Sequence, residues 1–413
     1  MTAIGALIGL LITIVLIIRK TNPAYSLILG ALVGGLLGGL GLVTTVSVMV
    51  DGVKDITPAI IRILTAGILS GVLVKTGAAY RIAETLVRKL GHGNVLFALA
   101  LSTMILTAIG VFIDVAVITI APIALAVGQR MEVSKMKLLL AMIGGGKCGN
   151  IISPNPNTII AAENMGAPLP SVMFANLVPA VLGLAVLTVL LRYVKLHGEK
   201  ATETSVAEHV DLPPFWASII GPVATILLLA LRPLANINID PLVALPVGGI
   251  VGILCMGKQK IFKESIAYGL EKMSVIAVLL VGTGTIAGII KQSTLKDWIL
   301  QGLDLAGLSD VLIAPVSGAL MSAASASTTA GATIASASFS TTILAAGISA
   351  VWGAAMINAG ATVLDHLPHG SFFHATAGCT QVDLKERLKL IPYESLIGAV
   401  LAAFSMMACL ITN

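Results

Sequence analysis

The chain has 413 residues, of which 57% are hydrophobic and only 11% are charged, and its formal net charge is +5. A soluble domain carries about 25% charged residues, so this chain cannot cover a water-facing surface of its size. The positive charge comes from loop lysines and arginines and does not indicate nucleic-acid binding. The composition therefore predicts an integral protein of the lipid bilayer.

Each half of the chain begins with three apolar runs that are long enough to cross a bilayer. An amphipathic segment follows each set, and after it come apolar residues interrupted by small or polar ones, which predict a re-entrant hairpin. A helix broken in its middle and a final span complete each half. The predicted segments are 3–18, 25–43, 57–75, 79–90, 94–128, 136–166 and 171–192, and then 215–233, 241–256, 273–290, 295–306, 310–339, 341–380 and 393–411.

The two halves resemble each other in register along their length. "NPAYSLILG" at 22–30 overlies "DPLVALPVG" at 240–248 with a shift of 218, and "GNIISPNPN" overlies "DHLPHGSFF" with a shift of 216. Five crossings per half, an odd number, would place the second half upside down relative to the first. The predicted fold is therefore all-α, with two inverted repeats, each of five crossings plus a hairpin and a broken helix. The domains are a first repeat at 1–197, a polar linker at 198–213 and a second repeat at 214–413.

The distribution of positive charge among the loops predicts which side of the membrane each loop faces. Of the 25 lysines and arginines, 19 fall on the side reached after the first span, 4 fall on the other side, and 2 fall inside spans. Positive residues are enriched in cytoplasmic loops. The distribution predicts a multi-pass protein of the inner (plasma) membrane with a cytoplasmic linker and with both termini outside the cytoplasm.

Four stretches interrupt the apolar helices, and the repeat relates them in two pairs. The hairpin tips are 107–117 and 322–333, and the helix breaks are 147–158 and 364–378. Non-helical backbone persists at membrane depth only where protein or a water-filled cavity satisfies it, and half-helix N-termini attract carboxylates. We therefore expect one binding site for a small organic anion. The predicted binding residues are Asp114, Asn150, Ser153, Asn155, Asn157, Thr158, Ser325, Ser327, Thr328, Thr329, His366, His369 and Ser371.

Ionisable residues within the apolar segments are candidates for proton coupling, because an intramembrane carboxylate is costly and histidine titrates near neutral pH. The predicted coupling residues are Asp114, Asp365, His366 and His369. Structural alternatives stand beside these roles: Asp114 could pair with Lys147 or a histidine, the asparagine-rich break could be a turn, and the serines and threonines could serve close packing.

Other functional classes receive less support from the residues. The glycine runs lack a P-loop ending, so no nucleotide cofactor is expected, and the loosely spaced histidines do not predict a metal site. The coupling ion is predicted to be H⁺, with Na⁺ as the alternative. An anion channel of the same architecture and a membrane enzyme or metal-dependent regulator remain the rival functions.

Several stretches resemble the gluconate permease family (GntP type) of the ion transporter superfamily. They are "AGILSGVLVKTGAAYRIAETLVRKLG", "FIDVAVITIAPIALAVG", "ISPNPNTIIAAENMGA" and "DHLPHGSFFHATAGCTQVDLKERLKLIPYES". The resemblance implies proton-coupled symport of a sugar acid or a related hydroxy or amino carboxylate. It also implies a homodimer with re-entrant hairpins and an elevator-like motion.

Two residues carry over from that family's pattern: Asp114 matches the acidic residue of the first hairpin, and His366 matches the histidine of the late broken helix. The chain departs from the pattern after His366, where Pro368 and His369 replace the usual Asn-Asp pair, while Phe372 keeps the following aromatic. The departure leaves the particular carboxylate and the coupling ion open.

Overall fold

The computed structural model describes the chain except for residues 91–93, 195, 197, 201–211, 236, 238, 296, 299–300, 302–304, 306–308, 369 and 413 and the side chains of 232–234. The described residues form helices, apart from short connections and one isolated backbone bridge between Ser134 and Lys200. The helices are α1 Ala3–Ile18, α2 Pro23–Leu37, α3 Leu42–Lys75, α4 Ala78–Leu90, α5 Val95–Ala108, α6 Ile113–Arg130, α7 Lys135–Asn150, α8 Pro156–Met165, α9 Leu169–Ala175, α10 Leu177–Tyr193, α11 Phe215–Ala235, α12 Pro241–Cys255, α13 Phe262–Lys291, α14 Ile313–Ser325, α15 Thr328–Ala345, α16 Ala350–Gly360, α17 Ser371–Thr380 and α18 Leu384–Thr412.

The helices suit a membrane environment. Five helical stretches of the described chain are long and apolar enough to cross a bilayer, and shorter apolar helices accompany them. The long stretches are Leu42–Lys75, Ile113–Arg130, Leu169–Tyr193, Gln259–Lys291 and Leu384–Thr412. The predicted all-α membrane fold is thereby confirmed, whereas the number of crossings per half stays a prediction. Most of the predicted amphipathic segment 295–306 and most of the linker lie outside the described residues.

Several helices are longer than the sequence predicted. α3 and α13 begin at Leu42 and Phe262 rather than at 57 and 273, and α18 begins at Leu384 rather than at 393. The predicted bounds excluded polar residues, but most polar side chains of these extensions are exposed or paired, although the buried Thr45 hydroxyl has no hydrogen-bond partner among the described residues. On α3, for example, Lys54 donates to Asp51 at 2.8 Å on an exposed surface.

Helices α3 and α13 run antiparallel in backbone contact. A Cβ atom added to Gly52 would lie 2.2 Å from the carbonyl oxygen of Gly284, and one added to Gly269 would lie 2.0 Å from that of Gly67. A shift of 217 relates Gly52 to Gly269 and Gly67 to Gly284, so the two contacts are equivalent about a pseudo-twofold axis perpendicular to the pair. Only glycine permits such an approach. The helix pair has the arrangement that an inverted repeat requires, while the inverted repeat and its boundaries stay a prediction.

Most of the other helices assemble around this pair in two groups. The spine bundle consists of α1–α3 and α11–α13. The hairpin bundle consists of the first hairpin (α5 and α6), the first broken helix (α7 and α8), the second hairpin (α14 and α15) and the second broken helix (α16 and α17), with α10 and α18 packed outside it. Helix α8 packs on α15, and its counterpart α17 packs on α6. The two halves thus interlock, and this brings all four interrupted segments together.

Candidate functional site

The hairpin tips are short turns in which the backbone adopts left-handed conformations. The first tip lies between α5 and α6 and contains Gly110 with φ +101°. The second tip contains Ala326 with φ +46°, followed by Ser327, whose hydroxyl accepts from the Ala330 N–H at 3.2 Å. Helix α6 starts after Phe112 without a side-chain cap. Both tips therefore present the N-terminus of a half-helix.

The first helix break is held by hydrogen bonds among asparagines. Asn155 caps α8 by accepting from the backbone N–H and the hydroxyl of Thr158, each at 3.1 Å. It also donates to the carbonyl of Asn150 at 3.0 Å. Asn358 of α16 donates to the Thr158 hydroxyl at 2.9 Å and accepts from Asn157 at 2.7 Å. The break is thus stabilised inside the protein by uncharged groups.

The second break carries buried charges. The Lys147 ammonium lies 2.5 Å from Asp365 Oδ1 and 3.0 Å from His366 Nδ1, and it also donates to the Thr362 carbonyl. The other carboxylate oxygen of Asp365 accepts from the Thr328 hydroxyl of the second hairpin tip at 2.5 Å. Lys147 and Asp365 are 0% and 2% exposed. This ion pair joins α7 of the first half to the break and the hairpin tip of the second half.

A second buried charge pair lies behind His366. The Nε2 atom of His366 is 3.1 Å from the carbonyl of Ile391 on α18, and Arg387 and Glu394 of the same helix form a fully buried ion pair. The Ile391 carbonyl can only accept, so Nε2 donates to it, while Nδ1 lies 3.0 Å from both the Lys147 ammonium and Asp365 Oδ1. His366 is fully buried in this position.

A cavity of about 1050 Å³ lies between the two bundles. The α1–α2 connection and α13 form one wall, and the hairpin tips and the second break form the other. Nine predicted residues line it, since the interlocked halves direct them to the same space. They are Asp114, Asn150, Asn157, Ser325, Ser327, Thr328, Thr329, Asp365 and Ser371.

Other predicted residues lie elsewhere. Ser153, Asn155, Thr158 and His366 are buried and do not line the cavity. Asn155 and Thr158 bond to each other within the break, whereas the Ser153 hydroxyl has no hydrogen-bond partner in the described part of the chain. His369 lies outside the described residues.

The cavity also contains charged residues that the sequence reasoning did not propose. Lys20, Glu271 and Lys272 line it, with Phe112 and Phe372 beside the half-helix N-termini. Both lysines counted only as cytoplasmic loop charges in the sequence. Their position at the ends of apolar runs could have indicated that they line the site, because a charged residue at the end of a span can lie in a water-filled cavity as well as in a loop.

Comparison with known proteins identifies the family. Residues 1–412 match the GntP family permeases. The chain belongs to this family. It is 54% identical over 406 residues to an uncharacterised transporter of Haemophilus influenzae, covering 98% of this chain and 97% of that protein. It is also 22% identical to the L-idonate transporter of the Gnt-II system of Escherichia coli, covering 77% and 78% of the two chains. Gluconate permeases and D-serine transporters are further relatives, at 23–28% identity.

The crystal structure of the YdaH transporter of Alcanivorax borkumensis has the same fold, with a TM-score of 0.66 at 16% identity over 91% of this chain and 89% of that one. At this identity the likeness concerns the fold alone. The family and the apolar helices together make the chain a multi-pass plasma-membrane permease and not an enzyme.

Proposed function

We propose that this permease is a secondary active transporter that imports a small carboxylate, a gluconate-like sugar acid or a related hydroxy or amino acid, together with protons. The observation that carries the proposal is the convergence of both hairpin tips and both helix breaks on one cavity that contains lysine side chains. The named substrates of its relatives are gluconate, L-idonate and D-serine, all of which carry a carboxylate.

Three half-helix N-termini would hold the carboxylate. Residues 112–115, 327–330 and 370–372 line the cavity, and they open α6, α15 and α17. The first N–H groups of a helix have no intrahelical partner and carry partial positive charge. Helix α17 starts after Gly370 without a side-chain cap, so its first N–H groups are available to an anion. Hydroxyl groups on Ser327, Thr329 and Ser371 are placed to bond the substrate's own hydroxyl or amino groups.

Asp114 is the best-placed proton carrier. It lines the cavity, is partly exposed, and accepts from the Val115 N–H at 2.9 Å. Asp365 is instead neutralised by Lys147, and His366 is enclosed between Lys147 and α18. Protonation of Asp114 would couple import to the gradient if the protonated form binds substrate better in one access state than in the other.

Alternating access would follow from movement of the hairpin bundle along the spine bundle, as in an elevator. The cavity borders Lys20 and Lys272, residues that the loop charge assigns to the cytoplasm, so the conformation would be inward-open. A homodimer, with both chain termini outside the cytoplasm, completes the proposal.

The test is uptake of labelled gluconate, L-idonate and D-serine into proteoliposomes containing the purified permease. An inward proton gradient should drive accumulation above equilibrium, and a protonophore should abolish it. Uptake that requires Na⁺ at fixed pH would establish the sodium-coupled alternative. Equilibration without accumulation would establish a channel, and no binding or uptake of any carboxylate would overturn the proposed substrate class.

A further inference from the structure

A network of three charged residues connects the two bundles. Arg62 of α3 donates through Nη2 and Nε to the Asp240 carboxylate at 2.8 and 3.0 Å, and its Nη1 pairs with the Glu163 carboxylate. Asp240 caps α12 and so belongs to the spine bundle with Arg62. Glu163 lies on α8 in the hairpin bundle. The Arg62–Glu163 pair is therefore the part of the network that crosses between bundles.

The position of this network is related to the cavity by the pseudo-twofold axis. With the shift of 217 that relates the glycines of α3 and α13, Leu279 is the counterpart of Arg62. With the shift of 218, Asn22 is the counterpart of Asp240. Both Leu279 and Asn22 line the cavity. Helix α8 corresponds to α17, which contributes Phe372 and His374 to the cavity wall. The space between α13 and α17 is therefore related by the axis to the place where α3 and α8 meet. The first of these is open, and the second is closed by direct contact.

We propose that the Arg62–Glu163 ion pair is a one-sided latch that keeps the second access path shut while the cavity is open. The proposal rests on the alternating access of the proposed function. If the two halves exchange conformations, the second path opens where α8 leaves α3, and this separation removes Glu163 from Arg62. The equivalent side has no such pair, because Leu279 and Asn22 carry no charge. The latch therefore favours the conformation with the present cavity open.

Asp240 has a different role in the network. It stays beside Arg62 in both conformations, since both belong to the spine bundle, and it orients the guanidinium towards Glu163. One cation serves two carboxylates here, so loss of Glu163 leaves Arg62 and Asp240 as a matched pair. Glu163→Gln should consequently release the latch without leaving an unpaired charge, which makes it the informative variant.

The experiment follows cavity accessibility in purified full-length permease in lipid nanodiscs, with its four cysteines replaced. Ser274→Cys on α13 supplies the reporter, because Ser274 is exposed and lines the cavity. Its rate of reaction with a bulky maleimide measures the cavity-open population. We expect Glu163→Gln to slow this reaction at least threefold. Asp240→Asn keeps the pair that crosses between the bundles, so the rate should change less than twofold.

A matched control is Asp51→Asn, which breaks the exposed Asp51–Lys54 pair within α3 and should leave the rate unchanged. Gel filtration and thermal unfolding verify that each variant is folded. Equal labelling rates in Glu163→Gln and the parent protein would overturn the latch. Labelling needs no substrate, so a shifted rate with no carboxylate uptake leaves the latch supported and the substrate class refuted. Carboxylate uptake with an unchanged labelling rate would refute the latch and support the proposed substrate class.

Discussion

The two helix breaks, which the sequence predicts to be equivalent in the repeat, are stabilised differently. The first is held by uncharged hydrogen bonds among Asn155, Thr158 and Asn358. The second is held by the Lys147–Asp365 ion pair, and Asp365 also accepts from Thr328 at the second hairpin tip. The cavity is bordered by Asn150 and Asn157 at the first break, and by Asp365, Gly370 and Ser371 at the second.

From this difference we expect the two breaks to have different roles in transport. A neutral hydrogen-bond network needs no counter-charge and can remain unchanged through a conformational cycle. A buried charge pair is stable only while both charges stay together, because burying one charge alone is very costly. The second break and its hairpin tip are therefore expected to respond to ions and substrate, with the first break serving as a rigid joint.

The largest expected effect comes from separating the charges of the second break. Lys147→Met leaves the Asp365 carboxylate buried without its cation, so we expect about 3–5 kcal/mol of destabilisation and loss of transport. Thermal or denaturant unfolding of the purified protein measures the first effect. The double variant Lys147→Met/Asp365→Asn leaves no unpaired buried charge, so it should regain most of the free energy of unfolding that the single variant loses. A stable single variant would show that the pair does not support the second break.

Asp114→Asn should impair transport while preserving the fold. Asp114 is partly exposed and bonds to a local backbone N–H rather than to the Lys147 pair, so its loss strands no buried cation. We expect proton-driven uptake to fall by about a hundredfold or more, the lower end of the range for losing a positioned proton-transfer group. Counterflow exchange without a gradient should persist. If proton-driven accumulation survives in this variant, the coupling proton binds elsewhere, and Asp365 becomes the next candidate.

A smaller effect is expected at the first break. Asn155→Ala removes the N-cap of α8, which typically costs about 1 kcal/mol. Unfolding of the variant should show this loss, whereas substrate affinity should stay within about twofold of the parent value, since Asn155 does not line the cavity. Asn157→Ala is the matched comparison, because Asn157 belongs to the same network and does line the cavity. A large affinity loss in Asn155→Ala alone would refute the role of the first break as a joint.

The smallest effect is expected outside both breaks, at the exposed Glu132–Lys200 pair of the surface connections. The Lys200 ammonium holds the pKa of the Glu132 carboxyl below its usual value. A carboxyl whose folded-state pKa is lowered contributes stability above its unfolded pKa, and the contribution disappears as the pH falls through the folded value. Because both side chains are well exposed, Glu132→Gln should unfold at the same temperature as the parent near neutral pH and in acid. A clear difference near neutral pH would show that this surface pair matters.

The sequence predicted the fold well because membrane burial leaves a strong signal. The first apolar run predicted both ends of α1 correctly. The polar interruptions at the hairpin tips and the breaks marked the segments that form the cavity. The helix bounds were least accurate where polar residues continue a helix, as in α3, α13 and α18. Hydropathy alone cannot tell whether such residues face water, a cavity or a buried partner.

The partners of individual side chains could not be predicted. Nothing in the sequence indicates that Lys147 would select Asp365 rather than Asp114, because the choice depends on how the two halves interlock. Ser153, Asn155 and Thr158 have the residue types of a binding site, yet Asn155 and Thr158 bond locally and none of the three lines the cavity. Lys272 looked like a loop charge because its helix was expected to begin at residue 273.

The glycine contacts between α3 and α13 have a consequence for leakage. With the backbones touching at Gly52, Gly67, Gly269 and Gly284, neither water nor a lipid chain fits between α3 and α13 at these contacts. Ions therefore cannot cross the protein between these two helices. A tight contact of this kind would limit the leakage of ions through the protein, and it would thereby protect the electrochemical gradient on which any coupled carrier depends.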